Sequence, residues 1–191
     1  ISDSPFAMLQ ELLKEGRDYK IYYTVNKDNY KEQKQFIKKN HMKIHLVKLK
    51  SFKYQKIIAK AGYLINNVSF PPYFIKRDGQ IYMNTWHGTP LKTLGKNMCQ
   101  GIESMHNIQH NFLQSDYLLF PNEFTMEHMM EDYNLNKLYT GKTIVCGYPR
   151  NSIFMDEKAG KKLKAELGYE GKTLYTYMPY FSPPFALLFC Y

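Results

Sequence analysis

Trp86-His87-Gly88-Thr89-Pro90-Leu91-Lys92 puts a titratable imidazole, a bare backbone, a hydroxyl and an ammonium within seven residues. The run Gln80-Ile81-Tyr82-Met83-Asn84-Thr85 before it reads as a strand. In open α/β sheets ligands bind outside the carboxyl ends of the strands, which is where this motif would fall. His87 is the candidate general base, since imidazole titrates near neutral pH. Gly88 lets a substrate approach the backbone, and Lys92 offers a point charge to a phosphate. Thr89 could hydrogen-bond substrate or cap a following helix. Trp86, the only tryptophan, is expected to pack in the crevice wall beside the substrate. A second turn, Gly147-Tyr148-Pro149-Arg150-Asn151, follows another strand-like run. Its Arg150 could steady a phosphate or tie down a helix end.

Other chemistries find little support. His106 and His110 are four apart on a predicted helix and share a face, but no third ligand is near. His41 and His45 share that spacing, yet His45 falls in a predicted strand. No metal site is therefore expected. No Gly-rich phosphate loop and no serine elbow occurs, and no cofactor is expected. Cys99, Cys146 and Cys190 form no C-x-x-C pair and read as reduced thiols. No run approaches the roughly 18 apolar residues of a membrane span.

The elements that must position these residues alternate. Ser4 is the expected cap of a first helix, with Leu9, Leu12 and Leu13 inward and Gly16 at its end. Lys20 to Val25 reads as a strand, and Asn29 to Lys39 as a helix with Phe36 and Ile37 inward. A strand over Lys43 to Leu49 should turn Ile44 and Leu46 to one face. Ser51 should cap a helix burying Tyr54, Ile57 and Ile58, and Tyr63 to Ile65 reads as a third strand. Beyond the His87 motif, Glu103 to Leu113 is helical and Tyr117 to Phe120 a strand. Asn122 caps a helix whose face carries Met126, Met129, Met130 and Tyr133, a Met-rich stripe that reads as core or interface filling. Thr143 to Cys146 is a strand, Asp156 to Leu167 a helix and Thr173 to Met178 a last strand. Strands alternating with helices of about 10–15 residues predict an α/β fold with a Rossmann-like parallel sheet.

The net charge of +9 is uneven. Residues 1–60 hold 14 Lys/Arg against 6 Asp/Glu, whereas residues 61–191 hold 12 against 11. No acidic residue lies between Gln33 and Arg77, yet Lys34, Lys38, Lys39, Lys43, Lys48, Lys50, Lys53, Lys56, Lys60, Lys76 and Arg77 do. Such a field suits a polyanion such as anionic lipid, a phosphate polymer or nucleic acid, with a merely solvated face as the competing reading. Lysine excess favours diffuse attraction over bidentate base reading, and no RNA-binding word occurs, so nucleic acid is not expected.

The two turns also resemble a known family. Gln80-Ile81-Tyr82, Trp86 to Lys92 and then Gly95 look like the signature of the CDP-glycerol glycerophosphotransferases of teichoic acid biosynthesis. Gly147-Tyr148-Pro149-Arg150-Asn151 resembles that family's Gly-x-Pro-Arg-Asn-Asp element, with Ser152 in place of the usual Asp. Pro5-Phe6-Ala7-Met8 and Tyr19-Lys20-Ile21 look like its first helix and strand. The resemblance runs from about residue 5 to Met178. It implies the N-terminal half of a GT-B-type two-domain fold, in which two Rossmann-like domains face one another. Residues 1–147 would be the acceptor-side domain and 148–191 the start of the donor-side one.

The resemblance further implies transfer of glycerol phosphate from CDP-glycerol to a lipid-linked glycerol-phosphate acceptor, releasing CMP. His87 would serve as base, with Trp86, Gly88, Thr89, Lys92 and Arg150 binding substrate. It implies a peripheral enzyme at the cytoplasmic face of the bacterial membrane, with the lysine field on the anionic leaflet. The family's second His and Asp-Tyr-Ser-Ser-like segment are not found here, and Pro179 to Tyr191 departs from its pattern. The chain is therefore expected to be a portion that does not turn over alone. The alternatives are a transferase of related sugar-phosphate or capsule polymers, a non-catalytic module binding polyanions, and a gene remnant.

Overall fold

In the computed structural model the chain forms two compact units, residues 1–153 and 154–191. The structure describes residues 3–99 and 102–175. The first unit runs α1 (Ser4–Lys14), β1 (Tyr22–Val25), α2 (Tyr30–Lys39), β2 (His45–Lys48), α3 (Phe52–Lys60), β3 (Tyr63–Asn66) and β4 (Ile81–Asn84). It continues with α4 (His106–Gln114), β5 (Tyr117–Phe120), α5 (Glu123–Asp132) and β6 (Lys142–Val145). Short 3-10 turns lie at Gly95–Asn97, Ile102–Ser104 and Pro149–Met155. Every strand pair is parallel, so the α/β expectation holds. The strands form two sheets rather than one, a β1-β2 pair and a four-stranded sheet ordered β3-β4-β5-β6. The core is nonetheless shared across them. Val47 of β2 packs in one cluster with Tyr54 and Ile58 of α3, Leu64 of β3 and Tyr82 of β4.

Parallel neighbours need a crossover connection, usually a helix. Between β3 and β4 an aromatic loop takes that place. Phe70 and Phe74 meet at 4.5 Å with their rings tilted by 41°, and pack on Tyr82 at 5.2 and 6.1 Å. Buried Asn111 of α4 clamps this loop, accepting from the Phe70 amide at 2.8 Å and donating to the Phe70 carbonyl at 3.2 Å. A second cluster lies under the carboxyl ends of β4 and β5, built from Trp86, Met105, Phe112, Leu118, Phe120, Met129, Tyr133 and Leu135. Met126 and Met130 pack against it, so the methionine face of α5 is core filling as its spacing indicated.

Several local expectations need correction. The cap of α1 is Asp3, whose carboxylate accepts from the Ser4 amide at 2.6 Å; the Ser4 side chain is instead buried. Of the α2 pair only Ile37 is buried; Phe36 is 40% exposed and meets Phe6 edge-on at 6.2 Å. In β2 the fully buried residue is Val47, while Ile44 and Leu46 are half-buried. The alternation pointed to the wrong face because α3 and β3 cover the Val47 side. The helix expected over 103–113 is broken into the 3-10 turn and α4. Ser51 and Asn122 cap as expected, accepting from the amides of Tyr54 (3.1 Å) and Thr125 (2.8 Å).

The described part of the second unit is α6 (Glu157–Glu166) and the turns after it, with Asp156 capping through the Ala159 amide at 2.9 Å. Lys172 to Tyr175 is neither helix nor strand, and Thr176 to Met178 of the expected last strand lie outside the described residues, as does Cys190. Cys99 and Cys146 are exposed thiols. Among the described residues no helix is long and apolar enough to cross a membrane.

Candidate active site

β4 is an interior strand, paired with β3 on one side and β5 on the other. Its last residue, Asn84, points a polar side chain into the core, and this side chain builds the turn that follows. Asn84 Oδ1 accepts from the Trp86 amide at 2.8 Å. Its Nδ2 donates to the Val68 carbonyl at 2.9 Å and to the Tyr82 hydroxyl at 3.0 Å. Thr85, fully buried, continues the ladder by donating its amide to the Asn66 carbonyl at 2.8 Å. Trp86 is thereby forced to φ 49°, a left-handed conformation rare for a bulky side chain. Holding it costs of order 1–3 kcal/mol, which the surrounding wiring must offset.

The reversal separates the motif's two rings. The Trp86 indole turns down, 6% exposed, and meets Phe112 at 5.2 Å and Tyr133 at 6.2 Å. His87 emerges above it, exposed, with its ring stacked on the indole at 4.1 Å and 28°. Trp86 is thus the floor on which the candidate base rests. The packing expected of it is met. Partial burial lowers the His87 pKa below its ordinary value, the Asp3 carboxylate opposes that shift, and the Arg150 guanidinium adds to it. The imidazole is accordingly neutral at neutral pH and able to accept a proton.

Gly88 needs its small size for no neighbour, since a Cβ there would meet no atom within 4 Å. Its surface is open. Gly95, the last residue of the motif, is the opposite case. It sits at φ 59°, buried, where a Cβ would collide with the Asp132 carbonyl at the end of α5. Thr89 accepts from the hydroxyl of buried Thr125 at 3.1 Å, which ties the motif to the first turn of α5. It caps no following helix; the next helical turn, Gly95–Asn97, begins after Leu94. Lys92 lies exposed on the segment between Thr89 and that turn.

The second turn closes on the first. β6 ends at Val145, and Gly147 at φ 78° reverses the chain. Tyr148 is buried, and burial pushes its phenol up to about 12, so it stays protonated. Its hydroxyl lies against the backbone of Gly88 without a well-aligned hydrogen bond. Arg150 folds over the Tyr148 ring at 4.7 Å, and its Nη1 reaches Asp3 Oδ1 at 3.1 Å. Asp3 Oδ2 also accepts from Asn67 Nδ2 at 2.8 Å. His87, Gly88, Tyr148, Arg150 and Asp3 therefore form one cluster in the first unit. Arg150 does tie down a helix end, that of α1, while remaining beside the imidazole.

His106 Nδ1 lies 2.7 Å from the Glu103 carbonyl, and His110 meets Gln114 on its own helix. Among the described residues no three His, Cys, Asp or Glu side chains group as metal ligands. The sequence reading missed Asp3, Asn67, Asn84, Thr125 and Tyr148. Two of them carried a signal. Asp caps helices as readily as Ser, so Asp3-Ser4-Pro5 offered two candidates. Asn84 is a polar residue at a position whose strand period makes it core.

A parallel α/β unit with a histidine turn at the carboxyl end of an interior strand is a Rossmann-like arrangement. Solved structures bear this out. The wall teichoic acid polymerase TagF matches with a TM-score of 0.67 at 24% identity, over 87% of this chain and 40% of that one. A variant of that enzyme soaked with CDPG matches with a TM-score of 0.68 at 22% identity. The family model described as CDP-Glycerol:Poly(glycerophosphate) glycerophosphotransferase matches residues 1–182, and the chain belongs to that family. It is 29% identical over 167 residues to the teichoic acid poly(glycerol phosphate) polymerase of Bacillus subtilis (strain 168), covering 82% of this chain and 20% of that protein. It is 27% identical over 181 residues to the polymerase of the same description from Bacillus spizizenii, covering 87% of this chain and 42% of that protein. The teichoic acid glycerol-phosphate transferase of Staphylococcus aureus (strain NCTC 8325 / PS 47) is 29% identical over 157 residues. The chain thus spans between about a sixth and two fifths of the length of the curated relatives it matches.

Proposed function

We propose that this chain carries the acceptor side of a glycerol-phosphate transfer from CDP-glycerol to a lipid-linked glycerol-phosphate chain. The observation that carries the reading is a neutral, exposed His87 held on the Trp86 indole beside Arg150. The acceptor's terminal hydroxyl gives its proton to His87 as its oxygen attacks the phosphorus next to glycerol. That bond forms while the phosphoryl–oxygen bond to CMP breaks, and CMP leaves. A positioned base of this kind is worth about 10²–10⁴ in rate. Arg150 faces the phosphate charge, and the open surface of Gly88 admits the substrate to the backbone. Thr89 and Lys92 line the same motif, and the donor nucleotide is held elsewhere in the family's fold.

The lysine field supports peripheral attachment at the cytoplasmic face of the membrane. Two of its members serve structure. Lys76 pairs with Asp116 at 2.6 Å, and the Arg77 guanidinium donates to the carbonyls of Ala59, Lys60 and Asp78. The other nine lysines, from Lys34 to Lys60, are exposed on α2, α3, β2 and the turns between them. Each near-surface lysine offers roughly 1 kcal/mol of attraction to an anionic leaflet. Nothing in the site singles out a nucleic acid.

The test is CMP release from CDP-glycerol with a lipid-linked glycerol-phosphate acceptor, by residues 1–182 joined to the remaining length of the Bacillus subtilis polymerase. His87→Ala should lower the rate about 10²–10⁴-fold with the melting temperature unchanged. Equal rates with and without the imidazole would refute the assignment.

A further inference from the structure

We propose that Asp3 is a positioning residue of the His87 site, one carboxylate that anchors the Arg150 guanidinium and balances its charge beside the imidazole. This role rests on reading His87 as the acceptor-side base; the coupling itself does not. Asp3 sits where three segments meet at the carboxyl ends of the strands. Its Oδ1 accepts from the Ser4 amide at the start of α1 and from Arg150 Nη1 in the turn after β6. Its Oδ2 accepts from Asn67 Nδ2 in the loop after β3. These partners are 64 and 147 residues away along the chain, apart from Ser4. Asp3 and Arg150 are both about one-third exposed, so their pair is neither fully desolvated nor lost in bulk solvent.

A cap alone does not explain this arrangement. Asn caps a helix about as well as Asp, and capping needs one oxygen. The second oxygen and the negative charge are directed at Asn67 and at Arg150. The guanidinium lies across the Tyr148 ring at 4.7 Å, so it is fixed from two sides. A phosphate-facing arginine with one face on an aromatic ring and one nitrogen on a carboxylate presents its remaining donors in a set direction. Without Asp3 the arginine would keep, among the described residues, its contact with the Tyr148 ring. It would also leave His87 facing a lone positive charge, which lowers the basicity of the imidazole.

The charged groups facing His87 are Asp3 from the start of α1 and Arg150 from the turn after β6; the Tyr148 phenol beside them is neutral. The test is an NMR titration of His87 in the labelled chain, its signal assigned by its loss in His87→Asn. It needs neither donor nor acceptor, so it reads out even if the transfer reading fails. Asp3→Asn keeps the cap and removes the charge. The His87 midpoint should move to lower pH by roughly 0.3–1, because the carboxylate is the stronger of its two charged neighbours. Arg150→Gln should move it the other way. The order parameter of the Arg150 Nε–H group should fall towards about 0.6 in Asp3→Asn. A purely capping Asp3 predicts no change in either signal, and an unmoved midpoint or an unmoved order parameter overturns the proposal. If Asp3→Asn does not fold, Asp3→Ser, another good cap without charge, carries the same two expectations.

Discussion

Asn84→Leu is the sharpest test of how this site is held, because it swaps a buried amide for an apolar side chain with the same number and branching of heavy atoms. Three bonds disappear, to the Trp86 amide, the Val68 carbonyl and the Tyr82 hydroxyl. They do not count equally. The Trp86 amide is buried with no water to replace its acceptor, and leaving it unpaired costs about 1–3 kcal/mol. Val68 is 48% exposed, so its carbonyl can be hydrated at little cost. The Tyr82 hydroxyl keeps Asn111 Oδ1 at 3.5 Å, a poor substitute worth only part of the lost bond. The sum is a loss of about 2–4 kcal/mol, a large share of the 5–15 kcal/mol typical of a domain. Urea unfolding followed by the fluorescence of Trp86, the sole tryptophan, measures it directly. Asn84→Asp, which keeps the acceptor for the Trp86 amide but buries a carboxylate and turns an acceptor towards the Val68 carbonyl, should lose at least as much. A loss under about 1 kcal/mol for Asn84→Leu, with m unchanged, would mean that the left-handed turn is not built by this side chain.

The two glycines of the motif should part company. Gly88→Ala should leave stability within about 0.5 kcal/mol yet depress transfer, while Gly95→Ala should destabilise by several kcal/mol through its clash with Asp132; equal melting temperatures would contradict this. The pH profile follows from the sign of the His87 shift. A base must be neutral, and a lowered pKa keeps it neutral further into acid, so the acid limb of kcat/KM should fall below pH 6.5; a midpoint above 6.5 would contradict the lowered pKa of His87. Binding to vesicles containing anionic lipid should weaken steeply between about 0.05 and 0.5 M salt and with Lys38→Glu/Lys39→Glu/Lys53→Glu/Lys56→Glu, and salt-independent binding would count against the lysine field as a membrane surface.

The strand–helix alternation was legible because it depends on local period, and the His87 and Arg150 turns were legible because Gly and Pro after a strand-like run mark a reversal of the chain. What stayed hidden was set by distant partners. Phe36 has helical spacing suited to burial but is left at the surface, because Phe6 supplies only an edge contact there. Val47 rather than Ile44 is core because α3 and β3 happen to cover its side. The β3–β4 connection shows no helical period, yet Phe70 and Phe74 do a helix's covering work once Asn111 holds their backbone. Phe70 and Asn111 lie 41 residues apart, farther than any window short enough to show periodicity.

The same reasoning says why the site itself was half visible. The candidate residues, His87 and Arg150, lie one and three residues from Gly88 and Gly147, so type and spacing point to them together. The residues that hold them are remote: Asp3 reaches Arg150 across 147 residues, and Thr125 reaches Thr89 across 36. A turn that places a tryptophan at positive φ with no glycine at that position must draw its stability from such remote bonds, since the local backbone opposes it. The strain at Trp86 is therefore informative in itself. It persists only because a buried asparagine and an aromatic cluster over-determine the turn, and what that arrangement delivers is one imidazole, lifted out of the core, with a flat apolar floor and a balanced pair of charges beside it.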